Sequence, residues 1–207
     1  LRAALRADST HIGSLFALSY MMKELYRYEE ALALLDQAVR THPDVASTYG
    51  HRAAAHFHFM QPLHDSLGLV DLRTALALDP EDTGSLAALA NRHLDQGALD
   101  SAIVCYDRIL AIDPNDAMAM HNRGYTKLQL GRYADAIADM RESLDMDSSI
   151  TFAHNNIGWA LHLAGRSAEG LASIDRAIAL MPTNAYAFYN RGRVLAALGR
   201  TAEACAA

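Results

Sequence analysis

The sequence predicts an all-α fold, a solenoid of short antiparallel helix pairs, on three observations. Gly97, Gly131, Gly165 and Gly199 stand 34 residues apart. Pro80, Pro114, Ser148 and Pro182 keep the same interval. Between these markers the apolar residues recur at helical spacing, in two runs per period. A fixed period of this length is the mark of one supersecondary unit copied along a chain.

Registers starting at Ile12, Ala46, Thr83, Ala117, Thr151 and Ala185 divide the chain into units 12–45, 46–82, 83–116, 117–150 and 151–184, with a partial unit 185–207. Residues 1–11 read as the end of a preceding second helix. In the unit 117–150, Met118, Met120, Tyr125, Leu128 and Leu130 belong to a first helix. Tyr133, Ala136, Ile137, Met140 and Leu144 belong to a second, and Gly131 breaks the run between them. The closing Asp79-Pro80 and Asp113-Pro114 stop the second helix, because proline drives the residue before it out of the α region. The second unit is irregular: three extra residues separate Pro43 from Pro80, and the excess is placed in a longer turn at residues 60–65.

Small residues predict how the paired helices meet. Gly124, Gly158, Gly192, Ala90 and Ala53 share one place in the first helix, and Ala31, Gly68, Ala102, Ala136, Gly170 and Ala204 share one in the second. Minimal side chains at both places let the axes approach. Larger residues, such as Leu15, Leu86 and Met120 with Leu35, Leu72, Tyr106, Met140 and Ile174, fill the space between neighbouring units. A lone pair cannot bury both faces, so stability comes from stacking.

With these residues the chain resembles the tetratricopeptide repeat family over essentially its whole length. The resemblance rests on the small first-helix residue, the glycine turn, Tyr28 and Tyr133 after the turn, the second-helix alanine and the closing proline. Tyr26 and Met60 depart from it where glycine is usual, Ser148 replaces a proline, and Ser143 and Ile109 replace a second-helix alanine. The family implies a right-handed superhelix whose first helices line a concave groove.

Composition sets limits. The chain has 207 residues, is 51% hydrophobic and carries a formal charge of −6 with no long basic run, which leaves a phosphate-binding footprint unsupported. No nucleic-acid partner is expected. No stretch of about 18 apolar residues suggests a membrane span. Both ends read as cut within helices, so further segments are expected beyond them. Cys105 and Cys205 lie about three units apart and read as buried, unbridged thiols, which points to a reducing, cytoplasmic compartment.

Motifs for chemistry are lacking: there is no phosphate-cradling glycine loop, no H-E-x-x-H, no paired C-x-x-C and no G-x-S-x-G. No catalytic residue, cofactor or metal is expected, and the chain reads as a non-enzyme. The ten histidines include His51, His56, His58 and His64 close together. Their spacings of five, two and six, and seven from His51 to His58, miss the four-residue step that sets two ligands on one helical face; His51 and His58 would stand about 10.5 Å apart.

The family's groove-facing places point to a candidate peptide-binding surface. The last three units fill them with Met118, His121, Asn122 and Tyr125; Phe152, Asn155, Asn156 and Trp159; and Tyr186, Tyr189, Asn190 and Arg193. Gln129 and His162 occupy further groove places. Aromatic side chains alternating with amides suit a peptide ligand. Asn122, Asn156 and Asn190 repeat every 34 residues, similar to the asparagine ladder of O-GlcNAc transferase repeats, and an amide can both donate to and accept from a peptide backbone. Asparagine is also a family habit at this place, so the ladder reads either way. Trp159 reads either as an anchor for a partner side chain or as packing against the next helix.

The family's clamp for chaperone C-termini needs three cations that are missing here: the matching places hold Ala87, Asn91, Asn122, Phe152 and Asn156. The N-terminal part of the groove, with Ala54, Gly84, Ala87 and Ala88, reads as small and smooth. The expected function is therefore a scaffold that holds a protein or peptide in the concave groove. Two alternatives stand beside it: self-assembly into a homo-oligomer through exposed repeat ends, and recruitment of substrate for a domain outside this segment.

Overall fold

The computed structural model describes residues 10–59 and 62–205, and every regular element among them is a helix. The reading of residues 1–9 as a helix end, and of Met60 and Gln61 as turn, lies outside the described residues. Helices α1 (Ile12–Glu24), α2 (Tyr28–Thr41), α3 (Ala46–Phe57), α4 (Pro62–Leu78) and α5 (Thr83–Asp95) are followed by α6 (Leu99–Ile112), α7 (Ala117–Gln129) and α8 (Tyr133–Met146). Then come α9 (Ala153–Leu163), α10 (Ser167–Leu180), α11 (Ala185–Ala197) and the one-turn α12 (Thr201–Ala204). The chain divides into two compact units, Leu1–Arg92 and His93–Ala207.

In the first unit α1 packs on α2, α2 on α3, and α3 on α4. Leu15, Leu35, Leu72 and Leu86 are fully buried, with Ala31, Ala53 and Ala75 at the close contacts between them. In the second unit each helix from α6 to α12 packs on its successor. The first helices α7, α9 and α11 also touch one another. Its core runs through Leu128, Ile137, Met140, Ile157 and Leu161, then Leu171, Ile174, Val194 and Leu195.

The turn residues explain why helices pair. Gly97, Gly131, Gly165 and Gly199 have φ between +71° and +80°. That left-handed conformation is nearly free for glycine and strained for other residues. The residue after each turns its N–H back five positions, as Arg132 does to Lys127 at 2.9 Å and Arg166 to Leu161 at 2.9 Å, which closes the preceding helix. Tyr26, the departure from glycine, adopts the same geometry at φ +57°, with Arg27 N–H bonded to Met22 O at 2.8 Å. The unit ends are equally regular. Asp79, Asp113 and Asp147 each accept from the N–H two residues on, at 2.9–3.0 Å, so the turn survives at Ser148 without its proline.

Backbones meet most closely between α9 and α10. A Cβ on Gly158 would lie 2.6 Å from Gly170 O, and one on Gly170 would lie 2.5 Å from Gly158 O. Neither position has room for a methyl group.

Two sequence expectations change. The second helices α2, α6, α8 and α10 have 14 residues each, whereas α4 has 17. Residues 62–65, expected in a longer turn, form the first turn of α4, where proline's missing N–H costs no helical bond. Cys105 is buried, and burial pushes its thiol up, but Cys205 is exposed at the end of α12, since a single turn has no face to cover it.

One stabilising device escaped the sequence reading. Arg123 on α7 reaches Asp107 on α6 at 2.8 Å and Asp139 on α8 at 2.8 Å, joining three helices. Arg52 does the same between Asp36 and Asp71, and Arg191 reaches Asp175 at 2.7 Å. Each arginine lies 16 residues after its first aspartate. The spacing was visible in the sequence once the period was known.

Candidate functional site

The site forms within the second unit, on α7, α9 and α11. Asp116 and Asn184 fix the starts of α7 and α11 by accepting from Ala119 N–H at 2.8 Å and Ala187 N–H at 3.3 Å. Eight of the predicted groove residues then line one cavity of about 480 Å³: Tyr125 from α7; Phe152, Asn155, Asn156 and Trp159 at and along α9; and Tyr186, Asn190 and Arg193 from α11. Leu128 and Asn184 complete it. Both were missed, Leu128 because it counted as core and Asn184 because it precedes the helix.

Four predicted residues do not line it. Met118 and Tyr189 are exposed outside it, Asn122 is half-buried, and His121 is buried at 2% exposure. His121 sits under the edge of Phe152, with ring centres 4.8 Å apart at 90°, which takes it out of the groove surface and into the packing between α7 and α9. Burial alone pulls its pKa down to about 4. Its Nδ1 is buried with no hydrogen-bond partner.

The asparagines also differ from a simple ladder. Asn190 Nδ2 donates to Asn155 Oδ1 at 3.0 Å, Asn155 Nδ2 donates to Asn156 Oδ1 at 3.3 Å, and Asn156 Nδ2 meets His121 Nε2 at 3.4 Å. The links between helices therefore span 35 residues, not 34. The sixth residue of one first helix faces the fifth of the one before it. Thirty-five residues before Asn122 stands Ala87, which offers no acceptor. Asn122 accordingly stays out of the chain, and Asn155 carries the junction.

This chain fixes how each amide points. Asn155, Asn156 and Asn190 each spend part of their capacity on one another, and an amide has two N–H donors and two acceptor lone pairs. Spare donors and acceptors remain at the cavity in a set orientation.

Trp159 serves both of the roles open to it. Its ring packs on the core of Leu128, Ile137 and Met140, and it lines the cavity. Arg193 lies over it, with the guanidinium carbon 4.1 Å from the ring centre and 5.7 Å from that of Tyr189. Arg193 is the one charged residue in the lining. His162, next to Trp159 at 5.1 Å, is held by Ser167 Oγ at 2.9 Å.

The histidines of the first unit are absorbed into packing. His51 stacks on Phe16 at 3.9 Å, His58 on Tyr28 at 5.4 Å and His64 on Phe59 at 4.1 Å. Among the described residues no helix is long and apolar enough to cross a membrane.

Comparison with known proteins agrees with this geometry. Models of the tetratricopeptide repeat match residues 14–42, 89–153 and 164–207. No curated protein matches the sequence. Among solved structures, the chain is similar to a tetratricopeptide repeat protein from Parabacteroides merdae ATCC 43184, at 19% identity and TM-score 0.76, over 94% of this chain and 76% of that one. It is similar to PilW, a widely conserved type IV pilus biogenesis factor, at 18% identity and TM-score 0.83, over 93% and 88%. A third is YrrB, a repeat protein with an unusual peptide-binding site, at 16% identity and TM-score 0.65, over 92% and 96%. At such identities the likeness is one of fold. Helix pairs closed by left-handed glycines, the 34-residue period and the three matched segments together place the chain in the tetratricopeptide repeat family.

Proposed function

We propose that this chain is a non-catalytic scaffold that holds an extended peptide segment of a partner protein in the cavity of α7, α9 and α11. The family's fold suits protein–protein interaction, and the groove is the finer reading. One observation carries it: the amide chain Asn190, Asn155, Asn156, His121 runs along the floor of a cavity walled by Tyr125, Phe152, Trp159 and Tyr186. An extended peptide presents an N–H and a C=O at every residue, and the fixed amides offer the complementary groups whatever the side chains. The aromatic walls supply apolar area for those side chains. That YrrB has a peptide-binding site on the same fold is consistent with this use of the surface.

The test is selection of a random dodecapeptide library displayed on phage. Wild-type protein is expected to enrich peptides, and Asn156→Ala with Asn190→Ala is expected to weaken the enriched peptides at least tenfold, with the mass by light scattering unchanged. Peptides bound equally by the double variant would sink the assignment to this cavity. A mass that rises with concentration, with no peptide enriched, would favour self-assembly.

A further inference from the structure

The cavity is neutral except at one point. Its lining contains no aspartate or glutamate, and its single cation, Arg193, has no carboxylate partner among the described residues. The neighbouring acids are committed: Asp175 pairs with Arg191 at 2.7 Å and Glu203 with Arg200 at 2.6 Å. An arginine in an acidic chain, left without an acid, has charge to spare.

Its geometry narrows what that charge is for. Stacking over Trp159 and beside Tyr189 uses the face of the guanidinium. The N–H donors lie in the guanidinium plane and stay free at its edge, where their fork matches a carboxylate bidentately. The two rings also hold the side chain in place, so little rotamer freedom is lost when a ligand arrives.

Arg193 also borders a second recess of about 460 Å³, lined by Phe188, Tyr189, Gly192, Ala196 and Ala204. The open surface therefore continues on both sides of it. A peptide occupying both recesses passes Arg193 with chain before and after. The carboxylate it meets is then on a side chain rather than at a terminus.

Building on the peptide-groove reading above, we infer that Arg193 reads an internal aspartate or glutamate of the bound peptide, flanked by apolar residues that fill the two recesses. The site selects acidic-hydrophobic segments of partner proteins. It differs from a terminal-carboxylate clamp in both the position of its cation and the group it takes.

Two dodecapeptide libraries test this, one fused to the coat protein through its C-terminus and one with free C-termini, each selected on wild type, Arg193→Ala and Arg193→Glu. The expected result is an aspartate or glutamate at one fixed internal place on wild type, no preference there on Arg193→Ala, and lysine or arginine there on Arg193→Glu. For one enriched peptide, Asp→Asn in the peptide should weaken wild-type binding roughly tenfold and leave Arg193→Ala binding unchanged, a test that stands even if a variant misfolds. Peptides that depend on Asn156 and Asn190 but show no acidic preference would overturn the inference and leave the groove reading standing. An acid enriched only at free C-termini would overturn the internal assignment, and failure to enrich any peptide would overturn both.

Discussion

The two compact units use one repeat to make opposite surfaces. In the first, the cavity facing α3 and α5 holds about 160 Å³ and is lined by Ser47, Gly50, His51, Ala54, Asp82, Gly84, Ser85 and Ala88. In the second, the corresponding first helices bear tyrosine, phenylalanine, tryptophan and asparagine around about 480 Å³. The backbone repeats, with the same left-handed turns and the same closing bonds in both. What changes is side-chain size at a few places per helix. The scaffold's period sets where a surface can form, and the residues that break the period decide what it can hold.

The largest expected effect contrasts glycines in the two units. Gly158→Ala drives a methyl group into Gly170 O at 2.6 Å, and backbone cannot rotate away, so the second unit should lose about 4 kcal/mol, above the usual overpacking range. Gly84→Ala meets only Asp82, at 3.9 Å, and sits in a helix where alanine is preferred by up to about 1 kcal/mol. Thermal unfolding should show a large drop for the first and none for the second. Equal changes would mean the close approach of α9 and α10 is not what glycine serves.

Acid sharpens the comparison next. His121 titrates near 6.5 in an unfolded chain and at about 4 when buried in the second unit. Above pH 6.5 both states are neutral and the residue adds no pH dependence. As pH falls from 6.5 to 4 only the unfolded chain takes the proton, so the fold loses about 3 kcal/mol, and below 4 the loss levels off. Burial also holds His56 and His58 of the first unit low, so the readout is a difference. In urea unfolding, wild type should lose about 3 kcal/mol more than His121→Phe between pH 6.5 and 4. Parallel pH profiles would show His121 to be solvated.

The smallest effect lies at the first unit's turn. Tyr26 is 80% exposed and holds φ +57°, a conformation glycine adopts without strain. Tyr26→Gly should stabilise by about 1 kcal/mol, the relief of left-handed strain less the added entropy of the unfolded chain. A lower melting temperature would show that the edge-on contact of Tyr26 with Tyr28, at 6.2 Å, outweighs the strain.

The sequence made the helices, turns and stops legible because each rests on a local rule: a glycine that must turn left, an aspartate that closes an Asx turn, apolar residues at helical spacing. Eight cavity residues could be placed for the same reason, since one register serves every copy. His121 could not, because its burial depends on Phe152 from the next first helix. The amide chain was misread by one residue, because bonds between neighbouring first helices join sixth place to fifth, an offset no single unit displays. The extra residues of α4 were assigned to a turn because proline signals both a turn and a helix start.

The arginine links carry a rhythm of their own. Asp107 and Arg123 recur as Asp175 and Arg191, 68 residues later, two periods rather than one. At the intervening junction the matching places hold Arg141 and Ile157, and Ile157 is buried among apolar neighbours. Excising residues 151–184 would set Arg191 opposite Arg141, like charge against like, whereas excising 117–184 would set it opposite Asp107. The array therefore shortens or grows cleanly only in doublets, and its true structural module is a pair of repeats.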